Sequence, residues 1–291
     1  MQKRNAVETV VSMGKGSHYR ACRVLGLARS SANYRAKTDA ERLRKEGLIE
    51  EVSRENPVYG YRKVTALLRQ GGEAMNGKRV ARIRRQRGLM ASRRPGKRRR
   101  VTPKNSKRQR SSRPNEVWSY DFIEDVTVRG RRLRILSVID EYTRECLLLR
   151  AAPSYPARRV LDSLEEIMVC DGRKPENVRS DNGPEFVAKR VQQWAKTGQI
   201  SLSYIKPGSP WENGNVESFH ASLRAELLDR ELFFSVGEAN VMLSNWREEY
   251  NFKRPHGSLG YRAPATAAKL ELALRATPCA PVPAGHPTQN Q

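Results

Sequence analysis

Three acids in the C-terminal half of this sequence sit where carboxylates could work together: Asp121 in WSYDFIEDV, Asp181 in RSDNGPEF and Glu217 in WENGNVESFHASLRAELL. Asp121 lies in a strand pattern, with Tyr120 and Phe122 on alternate faces. Asp181 directly follows a short strand, where Asn182-Gly183 breaks the chain. Glu217 lies on a helix whose core stripe is Val216, Phe219, Leu223 and Leu227. One residue is about 100° of helix, so its carboxylate is expected at the core boundary beside the sheet. Glu212, five residues earlier, is turned about 140° away and suits the helix start, where an acid meets the positive dipole end. Two strand acids and one helix acid converging at a sheet end would offer Mg²⁺ hard oxygen ligands. Two such ions roughly 4 Å apart could clamp the attacking and leaving oxygens of a phosphodiester. Taken singly, each acid reads equally as a cap or surface charge. What sets the group apart is its spacing, with thirty-five residues between Asp181 and Glu217, and the distinctive text around each.

The elements that must position these acids follow from the apolar rhythm. Val117–Val128 and Leu133–Asp140 read as strands joined by an Arg129-Gly130-Arg131 turn, and Glu145–Ala151 as a third. Pro156–Cys170 reads as an amphipathic helix. A strand near Val178–Ser180, a helix over Glu185–Lys196, a strand Ile200–Ile205 and a long helix from about Glu212 complete the pattern. An antiparallel meander followed by alternating helix and strand predicts a mixed α/β sheet.

The first half has another character. The chain has 291 residues and a formal net charge of +24. Residues 1–115 carry 32 of its 55 Lys and Arg but 8 of its 31 acids, so the whole excess lies there and the remainder is balanced. A polyanion is the implied partner, and nucleic acid fits better than a membrane surface because no large apolar face accompanies the charge. His18–Lys37 reads as two short helices around a Gly26 turn, the second capped by Ser30 or Ser31; this is helix-turn-helix grammar or an ordinary helical hairpin. Glu41–Met90 shows three helical patterns, marked by Leu48, Ile49 and Val52, then Val64, Leu67 and Leu68, then Val80, Ile83 and Leu89. The third carries Arg79, Arg82, Arg84, Arg85 and Arg87 on its expected outer face, as suits a DNA groove. Residues 93–114 hold eleven Lys or Arg, among them Arg98, Arg99 and Arg100, and no acid, which predicts a linker that tracks phosphates. The expected organisation is 1–40 helix-turn-helix-like, 41–92 helical and DNA-binding, 93–114 linker, 115–264 a mixed α/β core, and 265–291 a C-terminal helix and disordered tail.

Other classes recede. No run of 18 apolar residues is present, and Met1–Gly16 lacks a signal-peptide core, so the expected location is cytoplasmic, at the nucleoid. Cys22, Cys146, Cys170 and Cys279 form no CxxC pair and read as single buried thiols, without a disulfide framework or zinc finger.

SDNGPEF, KPGSPWENGNVESF, YNFKRPHGSLGYRAP and the earlier GLARSSANYR and NPVYGYRKVTALLR resemble, in order, the second-frame product of the insertion-sequence-three family of bacterial transposases, within the retroviral-integrase superfamily. The resemblance covers most of the chain. It implies a ribonuclease H-like core and an Asp-Asp-Glu site, carried over onto Asp121, Asp181 and Glu217 as catalytic and metal-holding residues. It adds Arg224, seven positions after Glu217, as a phosphate contact. Asn182 is expected to orient Asp181 or a metal-bound water, and His220 either to touch DNA or to pack. Where the family often has Thr soon after its first Asp, Phe122-Ile123 stands here; the rival for that role is Asp140 in VIDEYTR. The implied function is a transposase that cleaves and joins DNA with two Mg²⁺ ions, Mn²⁺ substituting. Its implied partners are the element's terminal repeats and target DNA, further copies of itself, and an upstream-frame product fused by frameshifting. Two readings compete: a non-catalytic DNA-binding repressor, and a nuclease of RNA–DNA hybrids.

Overall fold

The computed structural model describes residues 2–33, 40–91, 111–183, 185–205 and 214–276, and the chain forms two compact units, Met1–Leu48 and Ile49–Gln291. In the first, helices α1 (Gln2–Ser12), α2 (His18–Val24) and α3 (Arg29–Asn33) enclose Val7, Ala21 and Cys22, with Val10, Leu25, Leu27 and Ala32 packed against them. Ser17 caps α2 by accepting from the Arg20 amide, and Gly26 takes the left-handed turn at φ +57°. Helix α3 begins at Arg29, so Ser30 and Ser31 lie inside it rather than capping it. Helix α1 has no counterpart in the sequence reading, because its apolar residues are sparse.

Helix α4 (Ala40–Glu55) crosses the boundary between the units. Helices α5 (Tyr61–Gln70) and α6 (Gly77–Gln86) follow, burying Val64, Leu68, Val80 and Ile83, and the Asn76 side chain caps α6. Arg84 corrects its expected exposure. It is 3% exposed, its Nε donates to the Leu89 carbonyl, and its two terminal nitrogens find no hydrogen-bond partner. It falls beside Ile83 on the buried face, whereas Arg82, Arg85 and Arg87 are exposed and Arg79 is half-buried.

The sheet has five strands: β1 (Val117–Val126), β2 (Arg132–Asp140), β3 (Cys146–Ala152), β4 (Asn177–Ser180) and β5 (Ser201–Tyr204), in the order β3-β2-β1-β4-β5. The β1–β2 and β2–β3 pairs are antiparallel, and the β1–β4 and β4–β5 pairs parallel. This is the ribonuclease H-like arrangement. Gly130, at φ +73°, turns β1 into β2. One face carries Trp118, Tyr120, Leu136 and Val138 against α7 (Ala157–Asp171) and α8 (Lys189–Thr197). The other carries Ile123, Leu133, Ile135 and Ile139 against α9 (Gly214–Leu223), a π-helical turn at Arg224–Leu228, and α10 (Val236–Phe252). A 3-10 turn (Gly257–Leu259) and α11 (Pro264–Ala276) end the described chain. Cys170 is exposed, unlike the buried Cys22 and Cys146, because it lies on the outer side of α7. Residues 93–110, the tail from 277, Cys279 and Glu212 lie outside the described residues. Among the described helices, none is long and apolar enough to cross a membrane.

A buried ion pair locks the β1–β4 junction. Arg179 donates from one terminal nitrogen to both Glu141 oxygens, at 2.7 and 2.9 Å, and the Ser119 hydroxyl donates to the same carboxylate. The pair's side chains are 8% and 1% exposed. Removing one partner of such a pair strands a charge where water cannot solvate it. Glu141→Leu is therefore expected to cost about 3–5 kcal/mol in urea unfolding; a loss below about 1 kcal/mol would place the pair among ordinary surface contacts.

Candidate active site

The parallel register sets two of the three acids side by side. Ser119 of β1 pairs with Arg179 of β4. Two residues onward on each chain stand Asp121, still in β1, and Asp181, one residue past the end of β4. Asp121 Oδ1 accepts from the Phe122 amide at 2.7 Å. Asp181 Oδ1 accepts from the Gly183 amide at 3.0 Å, closing a tight turn. A Cβ on Gly183 would meet Asp181 Oδ1 at 3.1 Å, Phe186 Cδ2 at 3.2 Å and Glu185 Cδ at 3.3 Å, so the turn leaves almost no room for one.

Sequence reasoning missed what anchors this turn. Phe186 is buried, packs edge-on against Tyr120 at 4.5 Å and stacks on Phe122 at 5.2 Å. Arg134 lies 3.9 Å over the Phe122 ring and pairs with Glu185. The two aromatic residues flanking Asp121 thus grip the segment after Asp181 on the opposite face of the sheet. The signal was the Phe closing SDNGPEF. Asn182 behaves differently from expectation: its Nδ2 donates to the Ile205 carbonyl at 2.9 Å, tying the turn to the chain beyond β5.

The third acid comes from α9. Val216, Phe219 and Leu223 are buried as the stripe requires. Glu217 is exposed rather than at the core boundary. Its neighbour one turn on, His220, does reach the sheet. Its Nε2 lies 2.8 Å from Ser137 Oγ, and Ser137, opposite Asp121 on β2, donates to the Asp121 carbonyl at 3.1 Å. One proton placement satisfies both contacts: His220 donates through Nε2–H to a hydroxyl that passes its own proton to the carbonyl. His220 Nδ1 is 3.8 Å from Asp121 Oδ2. Burial, with Arg224 nearby, pushes the His220 pKa down to about 4. The imidazole is therefore neutral near pH 7, and the 3.8 Å approach is not an ion pair. Packing, rather than contact with DNA, is the role its surroundings provide.

Asp140, the rival first acid, is fully buried and accepts from the amides of Asn115, Tyr142 and Thr143 at 2.7–3.1 Å. Burial raises its pKa, and those three amides pull the other way. Its oxygens are spent closing the β2–β3 turn. Arg224 is exposed, with one terminal nitrogen donating to the Glu124 carbonyl at 3.1 Å. Arg98, Arg99 and Arg100 lie outside the described residues.

Oxygen donors from two aspartates and a glutamate are the ligand chemistry of Mg²⁺, and in that respect the residues fit the metal. Among the described residues, no three His, Cys, Asp or Glu side chains gather closely enough to hold a metal ion. Asp121 thus lies in β1, Asp181 just past β4 and Glu217 on α9, without the three closing on a common point.

Comparison with known proteins agrees with this architecture. The integrase core domain family matches residues 111–210 and again 198–264, and an HTH-like domain family matches residues 38–98. A 31.7 kDa protein of insertion element IS407 from Burkholderia multivorans is 36% identical over 264 residues, covering 91% of this chain and 95% of that one. Transposase InsD of insertion element IS2 from Escherichia coli is 32% identical over 232 residues, covering 74% and 75% of the two chains. Among solved structures, the simian T-cell lymphotropic virus intasome in complex with a PP2A regulatory subunit aligns with a TM-score of 0.48 at 16% identity, over 63% of this chain and 62% of that one. Identity above 30% along nearly the full length of a relative decides the matter: the chain belongs to the transposases of bacterial insertion elements, built on an integrase core behind an HTH-like domain.

Proposed function

We propose that the chain is a polynucleotidyl transferase that cleaves DNA at the ends of its element and joins them to target DNA, using Asp121, Asp181 and Glu217. The observation that motivates this reading is that Asp121 and Asp181 each lie two residues past Ser119 and Arg179, which pair across the parallel strands β1 and β4. All three acids serve as ligands to two Mg²⁺ ions, with Mn²⁺ able to substitute. The metal, when bound, supplies the positive charge that activates a nucleophilic oxygen and stabilises the leaving 3′-oxygen. The chain's own residues do the positioning. The Gly183 amide aims the Asp181 carboxylate, Asn182 fastens that turn to Ile205, and the Ser137–His220 pair fixes the backbone at Asp121.

Duplex DNA is held electrostatically. Arg79, Arg82, Arg85, the Arg98-Arg99-Arg100 run and Arg224 contact phosphates, and the charge concentrated before residue 115 sets a steep salt dependence. The protein acts in the cytoplasm, on nucleoid DNA, as a homo-oligomer assembled on paired ends, either alone or fused to an upstream-frame product.

Strand transfer on the element's own ends tests the assignment. Asp121→Asn, Asp181→Asn and Glu217→Gln should each lower activity by about 10²-fold or more, with circular dichroism and duplex affinity unchanged. Glu212→Gln should stay active. Excess chelator should abolish turnover, and Ca²⁺ should support binding alone. Persistent joining by Glu217→Gln would show that another carboxylate completes the site.

Gly183→Ala isolates positioning from ligation. Its new methyl must displace the Asp181 carboxylate or the Phe186 ring. A misplacement of this kind is expected to cost roughly tenfold to a hundredfold in kcat while duplex affinity stays within about twofold of wild type. An unchanged kcat would mean that the turn tolerates the methyl and does not aim the acid.

A further inference from the structure

Two motifs left without a role by this chemistry, NPVYGYR and HGSLGYR, meet in the structure. Around them α5 rests on the catalytic core: Lys63 Nζ lies 3.7 Å from Glu226, which also pairs with Arg254 at 2.7 Å, and Gln70 Nε2 donates to the Tyr261 carbonyl at 3.5 Å. The seam opens into a cleft of about 460 Å³. Tyr61, Arg62, Arg69 and Gln70 line it from the helix, and Tyr261 and Arg262 line it from the facing loop. Among the described residues, no carboxylate contributes to its walls.

The walls combine flat rings with fixed positive charge. Tyr61 is 41% exposed. Arg62 Nε donates to the Tyr61 hydroxyl at 3.3 Å, and its guanidinium lies 5.8 Å over the Tyr61 ring. Arg69 is turned to the Met75 carbonyl at 3.0 Å, whereas Arg262 is exposed. Tyr261 also sits at φ +64°, next to Gly260 at +62°. A left-handed tyrosine is held against its preference, here by its amide donating to the His256 carbonyl at 2.9 Å and the His256–Arg262 bridge. Asn or Gly would adopt this backbone more easily, so the tyrosine is kept for its side chain.

We propose that this cleft receives a single unpaired nucleotide at the end of bound DNA, with the base against Tyr61 and Tyr261 and the phosphate on Arg62 and Arg262. The volume lies in the range of small-ligand sites. A duplex offers its phosphates on a convex surface, to protruding arginines such as those of α6. A concave pocket of rings and guanidinium groups instead matches an unstacked base, whose π-face and phosphate are both open. The inference rests on the DNA-joining function proposed above and adds the form of DNA that the seam between α5 and the core selects.

The test is a fluorescence-anisotropy titration of the full chain with one duplex, blunt or carrying an unpaired oligothymidine tail on either strand. Wild type should prefer a tailed duplex by about tenfold, as for one stacked base. Tyr61→Leu with Tyr261→Asn keeps bulk at one position and the left-handed backbone at the other. This double variant should lose the preference while holding its blunt-duplex affinity within about twofold. Arg262→Gln, at an exposed position, should weaken tailed binding alone by about threefold, as one lost phosphate contact would. Equal wild-type affinity for blunt and tailed duplexes would overturn the proposal, as would a preference surviving in the double variant or equal losses on both duplexes. Wild type binding neither duplex would instead refute the DNA-acting reading itself.

Discussion

The parallel pairing of β1 with β4 is the constraint on which the rest of the core depends. Antiparallel neighbours would run toward opposite ends of the sheet, and acids following them could not face one substrate. Because β1 enters the sheet as the hairpin partner of β2 and then accepts β4 in parallel, Asp121 and Asp181 emerge at the same end. Parallel pairing requires a crossover, supplied here by α7. The register is enforced from both faces: on one by the buried Arg179–Glu141 pair with Ser119, on the other by the Tyr120–Phe186–Phe122 stack. A slip of one residue would turn Asp121 into the apolar layer under α7 and Trp118 out of it.

The helical contribution is built differently. Helix α9 is held through Val216, Phe219 and Leu223, and Phe219 packs against Trp246 and Tyr250 of α10. The π turn that follows buries both Leu227 and Leu228 and turns Glu226 towards Arg254. Glu226 thereby joins the turn after α9 to Lys63 of α5, so one carboxylate links the layer carrying Glu217 to the segment matched by the HTH-like domain family. Burial drives the Lys63 pKa down to about 8, against the pull of Glu226. Such a junction contributes more to fixing geometry than to net stability.

Much of this was legible in the residues. The meander, the crossover helix and the later strands follow from apolar alternation and glycine turns, since a half-buried strand or helix must repeat with its own period. The placement of Asp121 within a strand and of Asp181 just after one was also legible. Three features were not legible, each for a physical reason. Arg84 looked exposed because charge usually is, but helical phase places it beside Ile83 under Leu89. Glu217 looked partly buried because it adjoins the stripe, but the helix inclines that flank to solvent and gives the inward position to His220. The role of Asn182 depended on Ile205, a partner 23 residues away that only the tertiary fold supplies.

The separation of charge from chemistry closes the argument. A chain that must hold a polyanion yet bring carboxylates to its phosphates faces opposing demands: acids repel the backbone that they must approach, and bases near them would compete for their charge. Here the positive excess is confined to the first two-fifths of the sequence, and the half carrying the acids is neutral. Within that half, Arg179 pairs with Glu141, Arg134 with Glu185 and Arg254 with Glu226, whereas Arg224 is exposed and donates to the Glu124 carbonyl. The His220 imidazole, 3.8 Å from Asp121 Oδ2, is pushed towards its neutral form by burial. The charge that would draw in a polyanion and the three acids are thus concentrated in different parts of the sequence.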